Sequence, residues 1–468
     1  MTESSFRTET DSFGTMRIPG SAYWGIQTQR SVENFKIGTE KQPLELIRAL
    51  ALIKKAAAIV NVENKQLDKE IGEGIAAAAD EILAGDLNNN FPLVVWQTGS
   101  GTQTNMNLNE VIARRGTELQ NLLKSNEITI HPNDHCNLGQ SSNDTFPSAI
   151  HIAVFHELRT KFFPAADSLI KTMRAKEEEF SDVIKIGRTH FMDATPLSVG
   201  QEFGTFGEQI HKNFLRVQHA AKALLELPQG GTAVGNGLNT KAGWDQQIVK
   251  KISSFTGYDF IAAKNKAEHM ASHDALVDVS GQLRLFANSL LKVINDLRLL
   301  GSGPRCGFGE LILPQNEQGS SIMPGKVNPT QIEALSQVCV QITGNDAAIS
   351  FAGSQGHLQL NVYKPMIAYN LLQSIKLISQ AMPSFEERCL SKIEVNREKI
   401  DHYLNRSLML VTALVPMIGY DKAAEVAKSA YEFNTSLKEE TLKRGLMTAE
   451  QYDTLVDPKK MLGPIGQF

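Results

Sequence analysis

The chain has 468 residues, 42% of them hydrophobic and 21% charged, with a formal net charge of -4. This is ordinary globular composition at a length that suits two or three domains. The near-neutral balance carries no electrostatic footprint for nucleic acid or for an anionic membrane surface. The four cysteines, Cys136, Cys306, Cys339 and Cys389, form no CxxC pair and read as thiols in a reducing compartment. The opening residues Met1-Thr2-Glu3-Ser4-Ser5-Phe6-Arg7 carry acids and no apolar run, unlike a signal or transit peptide. No apolar stretch reaches the roughly 18 residues of a membrane span. A cytoplasmic protein is expected.

Residues 46–62 (LIRALALIKKAAAIVNV) are rich in Ala and Leu and predict a helix, as do residues 69–83. Phe91-Pro92-Leu93 breaks the pattern, and a Gly/Thr/Asn-rich stretch follows over 98–107. A long helix is predicted over 142–180, with Pro147 near its first turn and a kink at Pro164. Leu276, Val279, Leu283, Phe286, Leu290, Val293 and Leu297 recur every three or four residues, the pattern of one helix face. A single helix over 266–300 would be roughly 50 Å long. Another runs from 330 into 351. Shorter helical segments are expected over 408–418 and 422–433. Strand signals are scarce, so the fold class is mainly α, a bundle of long helices. Such bundles often pair with copies of themselves to cover a long apolar stripe. The character of the chain changes near residues 140 and 396. That gives an N-terminal domain over 1–140, a central long-helix domain over 141–396 and a small helical domain over 397–468.

Four polar stretches interrupt this pattern. They are Gly99-Ser100-Gly101-Thr102-Gln103-Thr104-Asn105-Met106-Asn107; His131-Pro132-Asn133-Asp134-His135 with Gln140-Ser141-Ser142-Asn143-Asp144; Gly187-Arg188-Thr189-His190; and Gly319-Ser320-Ser321-Ile322-Met323-Pro324-Gly325-Lys326-Val327-Asn328. Each alone has a plain structural reading, since Ser, Thr, Asn and Asp cap helices and Gly and Pro punctuate loops. Ser141 or Ser142 fits an N-cap, a lone histidine such as His190 is commonly structural, and Lys326 is commonly a solvated charge. Together they offer many hydroxyl and amide donors along with His190 and Lys326, a set that suits a small carboxylate-bearing ligand. His190 lies in a polar turn, where its near-neutral pKa range suits acid–base work. Phosphate-loop, GxSxG and HExxH patterns are absent from the sequence.

These stretches resemble the fumarase/aspartase superfamily. The last matches the family's GSSxMPxKxN loop nearly residue for residue, and the similarity extends from Tyr23-Trp24-Gly25 to Met461-Leu462-Gly463-Pro464. Gly230-Gly231-Thr232-Ala233-Val234-Gly235 and Ser302-Gly303-Pro304-Arg305 belong to the same match. His190, Gly325 and Thr102 follow the class II hydratases rather than the aspartate ammonia-lyases. The chain departs from the common pattern at Ile128, Leu138-Gly139 and Asn236.

The resemblance implies three domains, a central helix bundle that forms the core of a homotetramer, and active sites shared between chains. It implies reversible hydration of fumarate to (S)-malate in the tricarboxylic acid cycle, without metal or other cofactor. Ser320 would be the base at carbon, His190 the acid for the departing hydroxyl, Glu333 the partner that orients His190, and Lys326, with backbone N–H groups of the loop, the stabiliser of the Ser320 alkoxide. Substrate carboxylates would be held by Ser100, Gly101, Thr102, Ser141, Ser142, Asn143, Thr189, Ser321, Lys326, Val327 and Asn328. His131, Pro132, Asn133 and Asp134 match a second anion site. Ammonia-lyase chemistry and a non-enzymatic protein on the same scaffold are the competing readings. The latter fits poorly with the retention of Ser320, His190 and Lys326.

Overall fold

The computed structural model describes residues 6–123 and 128–464. The first five residues, part of the opening segment read above, lie outside the described residues. The described residues form two compact units, one made of those within 1–164, 214–287 and 339–379 and the other of those within 165–213, 288–338 and 380–468.

The first unit opens with an antiparallel hairpin, Phe6–Asp11 against Gly14–Pro19. The first strand alternates between exposed and half-buried side chains and the second buries only Ile18, so no apolar periodicity announces them. After a short helix, Ile26–Asn34, come three longer ones: Leu44–Glu63, Lys69–Ala84 and Thr102–Leu123. Leu46, Ile47, Leu50, Ile53 and Val60 of the first are buried on one face, as the Ala/Leu-rich composition requires. Lys54 falls on that same face, one turn after Leu50 and one turn before Ala58, and is fully buried. The helix expected over 142–180 is interrupted. An α-helix spans Ser142–Glu157, a widened π turn spans Leu158–Phe162, and an α-helix resumes over Phe163–Glu179. Pro164 has no N–H to return to the carbonyl four residues back, and the widened turn ahead of it absorbs that loss. Pro147 sits in the second turn rather than the first.

The single helix expected over 266–300 is two helices, Lys266–Ala271 and Asp274–Leu300. Ser272 is extended, and the buried His273 offers its carbonyl to Leu276 and Val277, starting the second helix. The seven stripe residues are buried within the chain itself. The stripe therefore does not call for a second copy to cover it, which removes that argument for self-association. Large apolar side chains that do remain open include Val340, 61% exposed, and Phe351, 70% exposed, both on the Thr330–Gly353 helix.

The second unit is built around another hairpin, Ile184–Thr189 against Met192–Ser198, with a register shift between Ile186 and Arg188. Ile186 points into a cluster with Leu410, Val411, Leu414, Val426 and Leu437 from the C-terminal helices. Each such burial contributes roughly 1.5–3 kcal/mol, so the tail helices brace the hairpin that carries His190. The tail itself is a 3-10 segment over Leu408–Leu414 running into Val415–Ile418, then a helix over Tyr420–Glu432. All sheet among the described residues is two-stranded, and the architecture is mainly α. Among the described residues no helix is long and apolar enough to cross a membrane.

Candidate active site

In the first unit, Gly99 and Gly101 admit the loop that ends at Thr102. A Cβ on Gly99 would lie 1.3 Å from the Val362 carbonyl oxygen, and Gly101 has φ +78 with Phe146 pressed against it. No side chain fits at either position. The loop delivers Ser100 Oγ to within 2.8 Å of Thr102 Oγ1, and Thr102 Oγ1 to within 2.8 Å of Ser142 Oγ. Three hydroxyls from segments forty residues apart, all named from the sequence, thus form one cluster.

Ser141 is the N-cap of the Ser142–Glu157 helix in a reciprocal capping box with Asp144. Its Oγ accepts from Asn143 N (3.1 Å), while its own N–H donates to Asp144 Oδ1 (2.9 Å). Asp144 Oδ2 accepts from Gly230 N (2.9 Å) and Thr232 N (3.0 Å). Asn143 Nδ2 donates to the Ala233 carbonyl (2.9 Å). One buried carboxylate therefore staples the 230–232 turn to the helix start. Burial pushes its pKa up to about 6, against the pull of the Ser141, Thr232 and Gly230 N–H groups. Asp144→Ala would strand three buried N–H groups and is expected to cost about 3 kcal/mol or more. An unchanged melting temperature would contradict that role.

His131, Asn133 and Asp134 form a compact turn. Asp134 N donates to His131 Nδ1 (3.1 Å) and His131 N donates to His135 Nδ1 (2.9 Å). A cleft of about 510 Å³ runs from Asn133 and Asp134 past Gly139 and Gln140 to Ser141 and Thr232. The cleft thus reaches from the His131–Asp134 turn to Ser141, the N-cap of the Ser142–Glu157 helix. Gly139 forms part of its wall.

In the second unit, His190 and Phe191 make the two-residue turn of the second hairpin, between the paired Thr189 and Met192. Their φ angles are +58 and +61. A tight hairpin turn of this kind favours Asn and Gly, so two bulky side chains there hold strain that the flanking structure must support. That support is an ion network. Lys185 Nζ lies 2.8 Å from both Glu202 and Glu310, and Arg188 lies 2.7 Å from Glu310. The Arg188 guanidinium also covers Phe308, 4.5 Å from its ring centre. The turn presents His190 at the edge of a cleft of about 270 Å³ that includes Arg188, Leu299 and Phe308.

The Ser320 loop closes on itself. Gly319 N donates to the Lys326 carbonyl (3.1 Å), Lys326 N to the Met323 carbonyl (3.2 Å), and Asn328 Nδ2 to the Gly319 carbonyl. Gly325 turns the chain at φ +81. Inside this loop Ser320 Oγ accepts from Met323 N (2.9 Å) and Ile322 N (3.3 Å). Ser321, Met323 and Lys326 are exposed, with Val327 partly so. Glu333 does not orient His190 within one chain: its carboxylate pairs with Arg298 at 3.0 Å. Among the described residues His190 has no hydrogen-bond partner in its own chain, and Thr189 is exposed beside it. Among the described residues no group of three or more His, Cys, Asp or Glu side chains is placed to hold a metal ion.

Lys54, Lys364 and the Lys185–Glu310–Arg188 network have no counterpart in the sequence reading, and Asp144 was quoted there without a role. The Ser141–Asp144 spacing of a capping box was a usable signal, as was the position of Lys54 on an apolar helix face.

A family model described as "Lyase" matches residues 14–344, and one described as "Fumarase C C-terminus" matches residues 410–463. The chain is 52% identical to a class II fumarate hydratase of Methylorubrum extorquens, covering 98% of each chain. It is 54% identical to the mitochondrial fumarate hydratase of Saccharomyces cerevisiae, over 98% of this chain and 95% of that one. Among solved structures it is similar to a recombinant class II fumarase from Schistosoma mansoni. That likeness has a TM-score of 0.94 and 43% identity, over 98% of this chain and 99% of that one. On this evidence the chain belongs to the class II fumarate hydratases of the fumarase/aspartase superfamily.

Proposed function

We propose that the four polar loops act as one centre for the reversible hydration of fumarate to (S)-malate, the reaction of this family in the tricarboxylic acid cycle. Taking a proton from the carbon beside a carboxylate leaves a doubly charged aci-carboxylate, so the centre needs a base at carbon, an acid for the departing hydroxyl and donors aimed at the growing charge. Ser320 Oγ takes the C3 proton of malate, His190 protonates the C2 hydroxyl as it leaves, and Lys326 and Asn328 stabilise the charge on the carboxylate. In the hydration direction His190 removes a proton from water and Ser320 returns one to carbon. The observation that carries this reading is the seat of Ser320 Oγ under two backbone N–H groups, which favours its ionised form. The hydroxyl cluster with Ser141, Asn143 and Gly101 receives a carboxylate. His131, Pro132, Asn133 and Asp134 serve as the second anion site.

We infer further that the protein works as a cytoplasmic homotetramer, with three domains divided near residues 140 and 396. Each centre would take the hydroxyl cluster, His190 and Ser320 from different chains. The exposed apolar side chains of the Thr330–Gly353 helix and the unpartnered His190 support shared sites, in which Glu333 of one chain orients His190 of another. Mixing tests this. Ser320→Ala and His190→Asn subunits, unfolded and reassembled together, should regain activity in about a quarter of the sites, because random assembly of symmetric oligomers makes intact ones. If both groups came from one chain, the mixture would stay as inactive as either parent.

A further inference from the structure

The hydroxyl cluster contains only neutral donors, yet its ligand carries two negative charges. In the same unit, two lysines are tied to the segments that form the cluster. Lys54 and Lys364 are both fully buried. Lys54 Nζ donates to Asn137 Oδ1 at 2.9 Å. The same oxygen also accepts from Asn105 Nδ2 (3.1 Å) and Asn109 Nδ2 (3.2 Å). Asn137 Nδ2 in turn donates to the carbonyl of Gln140, the residue before Ser141 (3.0 Å). Lys364 is tied to the other side of the cluster. Its backbone N–H donates to the carbonyl of Gly99, the residue before Ser100 (3.1 Å), and its Nζ donates to the Asn361 carbonyl (2.9 Å).

The ionisable groups facing these lysines do not cancel them. Asp144 is the carboxylate that both feel. Cys136, beside Lys54, is held as a neutral thiol, since burial pushes it up to about 12. His273, beside Lys364, is held neutral by burial, and so is His151 nearby, pushed down to about 4. When protonated, the two lysines thus face one buried carboxylate. Keeping them charged is costly, because burial pushes each ammonium down to about 7. A nearby dianion offsets that cost, so charge on the lysines and occupancy of the hydroxyl cluster favour one another.

We propose that Lys54 and Lys364 are positioning residues for substrate, forming a buried cationic floor that holds the backbone ahead of Ser100 and Ser141 and gives the hydroxyl cluster its affinity for a dicarboxylate. They touch no reacting atom, so their effect falls on binding rather than on proton transfer. The inference rests on the hydratase reading, and the two fail separately. If the unaltered chain does not hydrate fumarate, the reading fails, whereas the floor is tested by comparing variants with an active parent.

The test uses Lys54→Gln and Lys364→Gln, which keep a donor and remove the charge, alongside Lys54→Arg and Lys364→Arg, which keep the charge. KM and kcat for fumarate, the Kd of the unreactive dicarboxylate succinate, and the melting temperature are measured for each. Each Gln variant should raise KM and the succinate Kd by about tenfold, the effect of one unit charge at several ångströms in a partly shielded interior. kcat should stay within about twofold, and the folded Arg variant should bind nearly as the parent does. Should one pair fail to fold, the pair at the other lysine carries the same comparison. Unchanged KM and Kd in a folded Gln variant would overturn the proposal. So would a loss of kcat and melting temperature in Gln and Arg variants alike, which would reduce the lysines to packing.

Discussion

Ser320→Ala is expected to lower kcat for fumarate hydration by about two orders of magnitude or more, the usual scale for removing a general base. A serine is a weak base until it is ionised, and the loop is shaped to make ionisation less costly. Its oxygen already accepts from Met323 N and Ile322 N. Hydrogen bonds to a charged partner contribute about 1.5–3 kcal/mol each. The substitution removes one oxygen and leaves the loop closed, since the Gly319–Lys326 and Asn328–Gly319 hydrogen bonds do not involve Ser320 Oγ. KM should therefore move far less than kcat. A Ser320→Ala enzyme that hydrates fumarate at near the parent rate would remove Ser320 from the mechanism.

His190→Asn should produce a fall of similar size, and the backbone makes it a clean test. His190 occupies a left-handed conformation at the hairpin turn, with φ +58. Asparagine is among the few side chains that accept that region readily, so the turn should persist while the acid is lost. The melting temperature should hold or rise slightly, because a strained position receives a residue that suits it better. Loss of kcat together with a collapsed melting temperature would instead make His190 a structural residue of the hairpin.

The sequence made the chemistry more legible than the architecture. The four polar loops stood out because they broke long apolar periodicities, and in the structure each takes a defined form: a hydroxyl cluster, a capped helix start, a strained turn and a closed loop. The long helices were equally visible, through spacing such as Leu276 to Leu297. Their interruptions were not. The break at Ser272 and His273 carries no Gly or Pro, and the π turn ahead of Pro164 looks like ordinary helix until the proline is reached. The two hairpins were missed because their strands are six or seven residues long and present mixed faces rather than apolar alternation. Lys54 and Lys364 were passed over for a different reason. A lysine is assumed to be solvated unless its helix face is known to be buried, and for Lys364 nothing local says so. Glu333 shows the limit of reasoning about roles. Its place after the loop was plain, but its pairing with Arg298 depends on a helix end thirty-five residues away.

The most direct measurement follows the ultraviolet absorbance of fumarate with purified protein, without ammonia, before and after treatment with a chelator. The account predicts that fumarate disappears with stoichiometric formation of (S)-malate, at the same rate in both samples. No loss of fumarate, a loss only when ammonia is added, or activity abolished by the chelator and restored by Fe²⁺ or Zn²⁺ would contradict it.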